Sequence, residues 1–140
     1  MKIIALVFGL LLNVSAFATP AESFVLYPLD TEPNNYCSRY TSLTLDPVTN
    51  TARLEERLIG RCEIMVEPNR RTYHLTSRTQ SAEGVRILGL RRHVNGVDRL
   101  IIQDYRSASV PVAHPGRVEV TELTTTEKRV VYSVPPRRAR

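Results

Sequence analysis

The sequence is poor in the residues that most functions need. It has no Trp, only two Cys, and only two Lys among its nineteen basic residues. Hydrolase elbows of the type G-x-S-x-G, phosphate-binding P-loops and the dinucleotide signature G-x-G-x-x-G are all absent. Neither C-x-x-C nor H-x-x-x-H spacing occurs, so Cys37, Cys62, His74, His93 and His114 do not form a recognisable metal motif. The carboxylates that could serve acid–base chemistry, Glu55, Glu56, Asp98 and Asp104, are not spaced as a positioned pair across a cleft. The composition therefore predicts no catalytic residues, no cofactor and no metal, and points to a non-catalytic binding protein.

Only one long apolar run is present, Ile3 to Leu12, and it lies next to Lys2. Ala16-Phe17-Ala18 follows, with small residues where a signal peptidase reads. The run falls short of the ~20 residues that span a bilayer, and no cysteine follows it to carry a lipid. Residues 1–18 are expected to be a cleaved signal peptide, and the remaining chain to be periplasmic or secreted. In that setting Cys37 and Cys62 are expected to form a disulfide, worth ~3 kcal/mol through loop closure.

What remains reads as strands. Leu43 and Leu45 alternate with Ser42 and Thr44. From Thr51 to Val66 a long run carries Ala52, Leu54 and Leu58 on one face and Arg53, Glu55 and Arg57 on the other, with Glu56 as an exception and Gly60 as a break. The charged face reads as a solvated row of ion pairs, each worth ~0–1 kcal/mol. Tyr73, Leu75 and Ser77 alternate with Thr72, His74 and Thr76. Val85–Arg92 and Arg99–Tyr105 flank Asn95-Gly96, which favours a type I′ hairpin. That hairpin is apolar on both faces, as in a central hairpin covered on both sides or one wrapped into a barrel. Ala21–Leu29, closed by Pro28, suits an edge strand or an extended segment. Arg117–Leu123 and Lys128–Val134 complete the set, and Ser107–Gly116 is a long loop.

The fold class is all-β. Residues 19–134 are expected to form a single-domain antiparallel meander, closing into a small barrel or sandwich of about seven to nine strands. Residues 135–140 form a basic tail expected to be disordered. Large aromatics are few and no G-x-W stands near the start, so the signatures of familiar ligand-carrying barrels are missing; no known family's motifs map onto the chain.

In a meander, alternate turns share one end. The turns at Glu67–Arg70, Val94–Val97 and Thr124–Thr126 should therefore lie together, gathering Arg70, Arg71, Arg91, Arg92 and His93, with Lys128 and Arg129 nearby. Such a basic rim would attract an anionic partner: an acidic protein, an envelope glycan or a phosphorylated lipid head group. Nucleic acid fits poorly, because export removes the usual targets and no aromatic stacking pattern accompanies the arginines. Two further readings are a secreted inhibitor of a protease or cell-wall hydrolase, presenting Ser107–Gly116, and a barrel holding a small apolar ligand.

Overall fold

The computed structural model describes residues 20–29, 36–61 and 69–134. The expected signal peptide, the loop at Asp30–Asn35, Cys62 and the apolar residues after it, and the basic tail lie outside the described residues.

Eight antiparallel strands follow one another in a closed barrel. They are β1 (Glu22–Tyr27), β2 (Cys37–Asp46), β3 (Thr51–Gly60), β4 (Arg70–Ser81), β5 (Gly84–His93), β6 (Gly96–Asp104), β7 (Val118–Leu123) and β8 (Lys128–Ser133). Each pairs with its sequence neighbour, and β1 closes the ring on β8 through Leu26 opposite Ser133 and Tyr27 opposite Tyr132. β1 is thus paired on both sides and is no edge strand. Pro28, which lacks an N–H to donate, falls just beyond its last residue.

The period-two pattern explains the lumen. Residues directly opposite in an antiparallel pair share a face, and the register links Leu43 to Leu54, Ile87 to Ile102 and Ile102 to Val120. These join Leu26, Ala52, Tyr73, Val85, Leu100, Val118 and Val131 in one buried core. Eight strands enclose an interior just wide enough for side chains to fill.

Three local readings need correction. Asn95 has no positive φ; the left-handed residue is Gly96, at φ 138°. His93 pairs with Gly96, so Val94 and Asn95 occupy the turn, which is not type I′. Second, Glu55 does sit on the outer face of β3, but it is only 4% exposed, covered by Arg57 and Arg70 at 3.1 and 3.3 Å. The row is not uniformly solvated. Burial raises the Glu55 pKa, but hydrogen bonds and charge from Arg57 and Arg70 outweigh it and leave the carboxyl below its ordinary value. Third, the alternation of β4 breaks at a β-bulge between Leu75 and Ser77. Gly60, by contrast, ends β3 with a φ of 100°, as a break in the run should.

The chain leaves β1, β3, β5 and β7 at one end of the barrel, called here the lower end, and β2, β4 and β6 at the upper end. The turns before β4, before β6 and before β8 therefore share the lower end, as the meander requires. A Cβ built on Gly96 would meet Thr125 Cγ2 at 3.0 Å, so two of these turns touch.

Candidate functional site

The strand parity divides the five arginine and histidine residues of the expected rim. Arg71 pairs with Leu54 and Arg91 with Asp98, on the lumen face; His93 shares the Arg91 parity. Arg70 and Arg92 fall on the opposite, outer parity and are exposed. One end holds all five, but they do not form one continuous surface.

Inside the lower end, acids meet the inward-facing bases. Arg71 donates from Nε and Nη2 to the two Glu122 oxygens, both at 2.7 Å. The Tyr73 hydroxyl donates to Glu122 Oε2 at 2.7 Å. This bidentate pair spans the lumen from β4 to β7, with Arg71 and Glu122 only 9% and 6% exposed. Burial opposes the Arg71 charge, but Glu122 more than restores it, so its pKa rises. Burial and the Glu122 contact also push the Tyr73 hydroxyl well above the usual tyrosine range, keeping it a neutral donor. Beside them Arg129 pairs with Glu56 and donates to Thr41 Oγ1 at 3.0 Å.

Among the described residues, His93 and Asp98 form the His–carboxylate contact that could suggest catalysis. His93 Nε2 lies 2.9 Å from Asp98 Oδ1, while its Nδ1 accepts the Asn95 N–H at 3.2 Å. Because Nδ1 is the acceptor, Nε2 carries the proton and donates to Asp98. Both nitrogens are therefore engaged within the hairpin, and the ring acts as a turn clip. His74 points outward on β4, opposite Leu90. His114 packs between Tyr105 and Tyr132, at 6.3 and 4.7 Å between ring centres. Among the described residues, no group of three His, Cys, Asp or Glu is arranged to hold a metal ion.

The loop at Ser107–Gly116 is tied down. Tyr105 N–H donates to Arg117 O at 2.8 Å, closing its base, and Ser109 N–H donates to Ala82 O at 2.8 Å. His114 packs against the outer wall, so the loop is held at several points, while Ser109, Val110 and Pro111 are exposed.

The upper end is different. There a cavity of about 350 Å³ opens in the barrel mouth. Its apolar lining includes Leu45, Leu75 and Ile87 with two prolines, and its polar lining includes Glu22, Asp46, Asn50, Arg78, Asp104 and Arg106 with Thr76 and Ser77. The opening has a structural cause. β3 begins at Thr51, opposite His74, so Leu75 to Ser81 of β4 continue upward with β5 alone beside them. The β2–β3 turn reaches over this gap. Asn50, at a left-handed φ of 55°, accepts the Leu75 N–H at 3.0 Å and donates from Nδ2 to Leu75 O at 3.0 Å. Asn tolerates that conformation better than most residues.

The charges around the mouth are mostly satisfied. Arg106 donates to Asp104 at 2.8–3.2 Å and to Glu22 at 3.4 Å, with its guanidinium 4.8 Å from the Phe24 ring centre. Burial raises the Asp104 pKa, but its bonds to Arg106 and the charges of Arg106 and Arg78 outweigh this and hold it below the ordinary value. Asp46 accepts the Val48 and Thr49 N–H groups, which lower its pKa in turn. Of these mouth residues the sequence draws notice as a candidate for chemistry only to Asp104, a carboxylate without a positioned partner. The available signal is parity: Leu45 and Ile87 lie in phase with the core, in the upper halves of their strands.

The lower network generates a stability prediction. Glu122→Ala strands a buried guanidinium and a buried hydroxyl, and should cost about 3–5 kcal/mol in urea unfolding. Arg71→Met/Tyr73→Phe/Glu122→Leu removes donors and acceptor together and should recover most of that loss. A Glu122→Ala cost below about 1 kcal/mol would show that the network carries no such constraint.

Comparison of the chain with protein-family models, with curated proteins and with solved structures finds no match, and the functional reading rests on the geometry of the barrel alone.

Proposed function

We propose that this protein is a non-catalytic binding barrel, and that its upper mouth takes a small ligand with an apolar body. The observation that carries this is the 350 Å³ cavity with Leu45, Leu75 and Ile87 in its lining. It falls within the ~300–1,000 Å³ of small-molecule sites, which combine apolar walls with a few placed polar groups. The lower end of the same lumen is filled by paired charges, so the free volume lies at the upper end.

A second reading is favoured by the outer surface of the lower end. Arg92, Arg99 and Lys128 share the outer parity of β5, β6 and β8. Among the described residues, no carboxylate lies within 4.0 Å of any of the three. Together with Arg70 they offer a field for an anionic protein, glycan or lipid head group. For the inhibitor reading, the Ser107–Gly116 loop is anchored to Ala82 and packed through His114 against Tyr132, while Val110 between these anchors is 41% exposed.

We further propose export, with Met1–Ala18 removed as a leader and Cys37 joined to Cys62. What supports the disulfide is register. Cys37 pairs with Gly60, so the chain two residues before Cys62 lies beside it, and no described cysteine is free.

Three outcomes are expected. Nile red, a neutral apolar dye, should bind the purified protein with saturable fluorescence; Leu75→Arg should weaken it about tenfold or more, whereas Val94→Ser at the opposite end should not. Binding insensitive to Leu75→Arg would remove the pocket from the function. Expressed with its leader in a bacterium, the protein should be recovered from the periplasm or medium with Thr19 as its first residue and no reactive thiol before reduction. An intact leader, or two titratable thiols, would contradict export or the disulfide respectively. For the second reading, replacing Arg70, Arg92, Arg99 and Lys128 by Ser should lower the salt concentration that elutes the protein from heparin; unchanged elution would exclude that surface.

A further inference from the structure

The β4 bulge aims a cation into the mouth. Below it Arg71, Tyr73 and Leu75 face the lumen; above it Arg78 lies opposite Ile87 and Gln80 opposite Val85, two core positions. Unbroken alternation would have turned Ser77 inward and Arg78 outward. Bulges of this kind re-aim side chains beside functional sites. This one is held on both sides, by the two Asn50 bonds to Leu75 and by the Thr76 hydroxyl donating to Leu88 O at 3.3 Å.

Arg78 is also the cation of the mouth that forms no ion pair among the described residues. Arg106 is shared between Asp104 and Glu22, and Asp46 is held by two backbone N–H groups. Among the described residues no carboxylate comes within 4.0 Å of Arg78. Its influence on Asp104 is through space only. A guanidinium beside an apolar wall is suited to an anionic group on an apolar body. The neighbouring carboxylates limit the size of that charge: Glu22, Asp46 and Asp104 outnumber Arg78 and Arg106 by one in the lining, so a dianionic phosphate would meet more repulsion than a single negative charge seated directly on Arg78.

We propose that the ligand of the upper mouth is a small carboxylate amphiphile, its apolar chain against Leu45, Leu75 and Ile87 and its carboxylate on Arg78. This inference rests on the pocket reading above and adds the identity of the head group. Its strength is bounded by exposure, since Arg78 is accessible to water and an exposed ion pair is weak and screened by salt.

The test compares three probes of equal chain length, decanoate, decanol and decylammonium, by calorimetry at neutral pH and low salt, below their micelle concentrations. Decanoate should bind about fivefold tighter than decanol, and decylammonium more weakly than either. Arg78→Gln should bring decanoate level with decanol, Arg78→Lys should keep most of the preference, and added salt should erode it. Equal binding of decanoate and decanol, a preference for decylammonium, or a decanoate preference that survives Arg78→Gln would each overturn the Arg78 assignment while leaving the pocket standing. Failure of all three probes to bind would overturn the pocket reading and the head group with it.

Discussion

The Arg71–Glu122 pair is the contact on which the interior arrangement depends. An eight-stranded barrel has room inside for side chains and little more. Two charges placed there lose their hydration, and neither is tolerable without the other. The bidentate geometry and the Tyr73 hydroxyl satisfy them together. Because Arg71 lies on β4 and Glu122 on β7, the pair ties strands that are not neighbours in the sheet. It joins opposite walls of the lumen at the lower end, where Arg91, His93 and Asp98 add a further layer. A ligand entering from below would have to displace these pairs and leave buried charges unmatched.

That cost leaves the upper end as the open one, and β4 connects the two ends. Its lower half supplies Arg71 and Tyr73 to the cross-lumen network; its upper half supplies Leu75 and Arg78 to the mouth. The bulge between the halves lets one strand do both. Without it Ser77, which carries no charge, would lie opposite Ile87 in place of Arg78. The short start of β3 has a matching effect, since a longer strand would pair with Leu75 to Ser81 and seal the wall that now borders the cavity. The Asn50 clip keeps this partly unpaired stretch from fraying.

Most of the barrel was legible because period-two alternation is a direct record of which face is wet. Leu43 with Leu45, Ala52 with Leu54, and the apolar hairpin around Asn95-Gly96 all led to the observed strands, and turn counting placed three turns at one end. The lower-end arginines were harder. Arg71 stands two residues before Tyr73, Glu122 two after Val120, Asp98 two before Leu100, and Glu56 two after Leu54. Each is a charge in phase with the core, and that shared phase was the missed sign of an internal network. Proximity to turns suggested a rim instead, because turn-flanking charges are usually solvated. The bulge left no such mark: Thr76-Ser77 continues a plausible alternation, and only the register with β5 reveals the extra residue. The mouth cavity follows from that bulge, so it was hidden as well.

The same in-phase charges bear on why the barrel adopts one register. β5 and β6 carry apolar residues on both faces: Val85, Ile87, Leu100 and Ile102 inside, Leu88, Leu90 and Ile101 outside. For such a hairpin, shifting by one residue exchanges one apolar face for another, and hydrophobic burial alone discriminates weakly. The charges discriminate strongly. In the observed facing Asp98 meets His93 and Arg91, and Glu122 of the adjoining strand meets Arg71. A one-residue slip of β6 would turn Asp98 out and Arg99 in, bringing another cation toward a lumen that already holds Arg71, Arg91 and Arg129. The lower-end network thus adds little to gross stability beyond satisfying its own buried groups, but it penalises the alternative that apolar patterning leaves open. With register set from below, the upper mouth inherits a fixed geometry, including the bulge that holds Arg78 opposite Ile87.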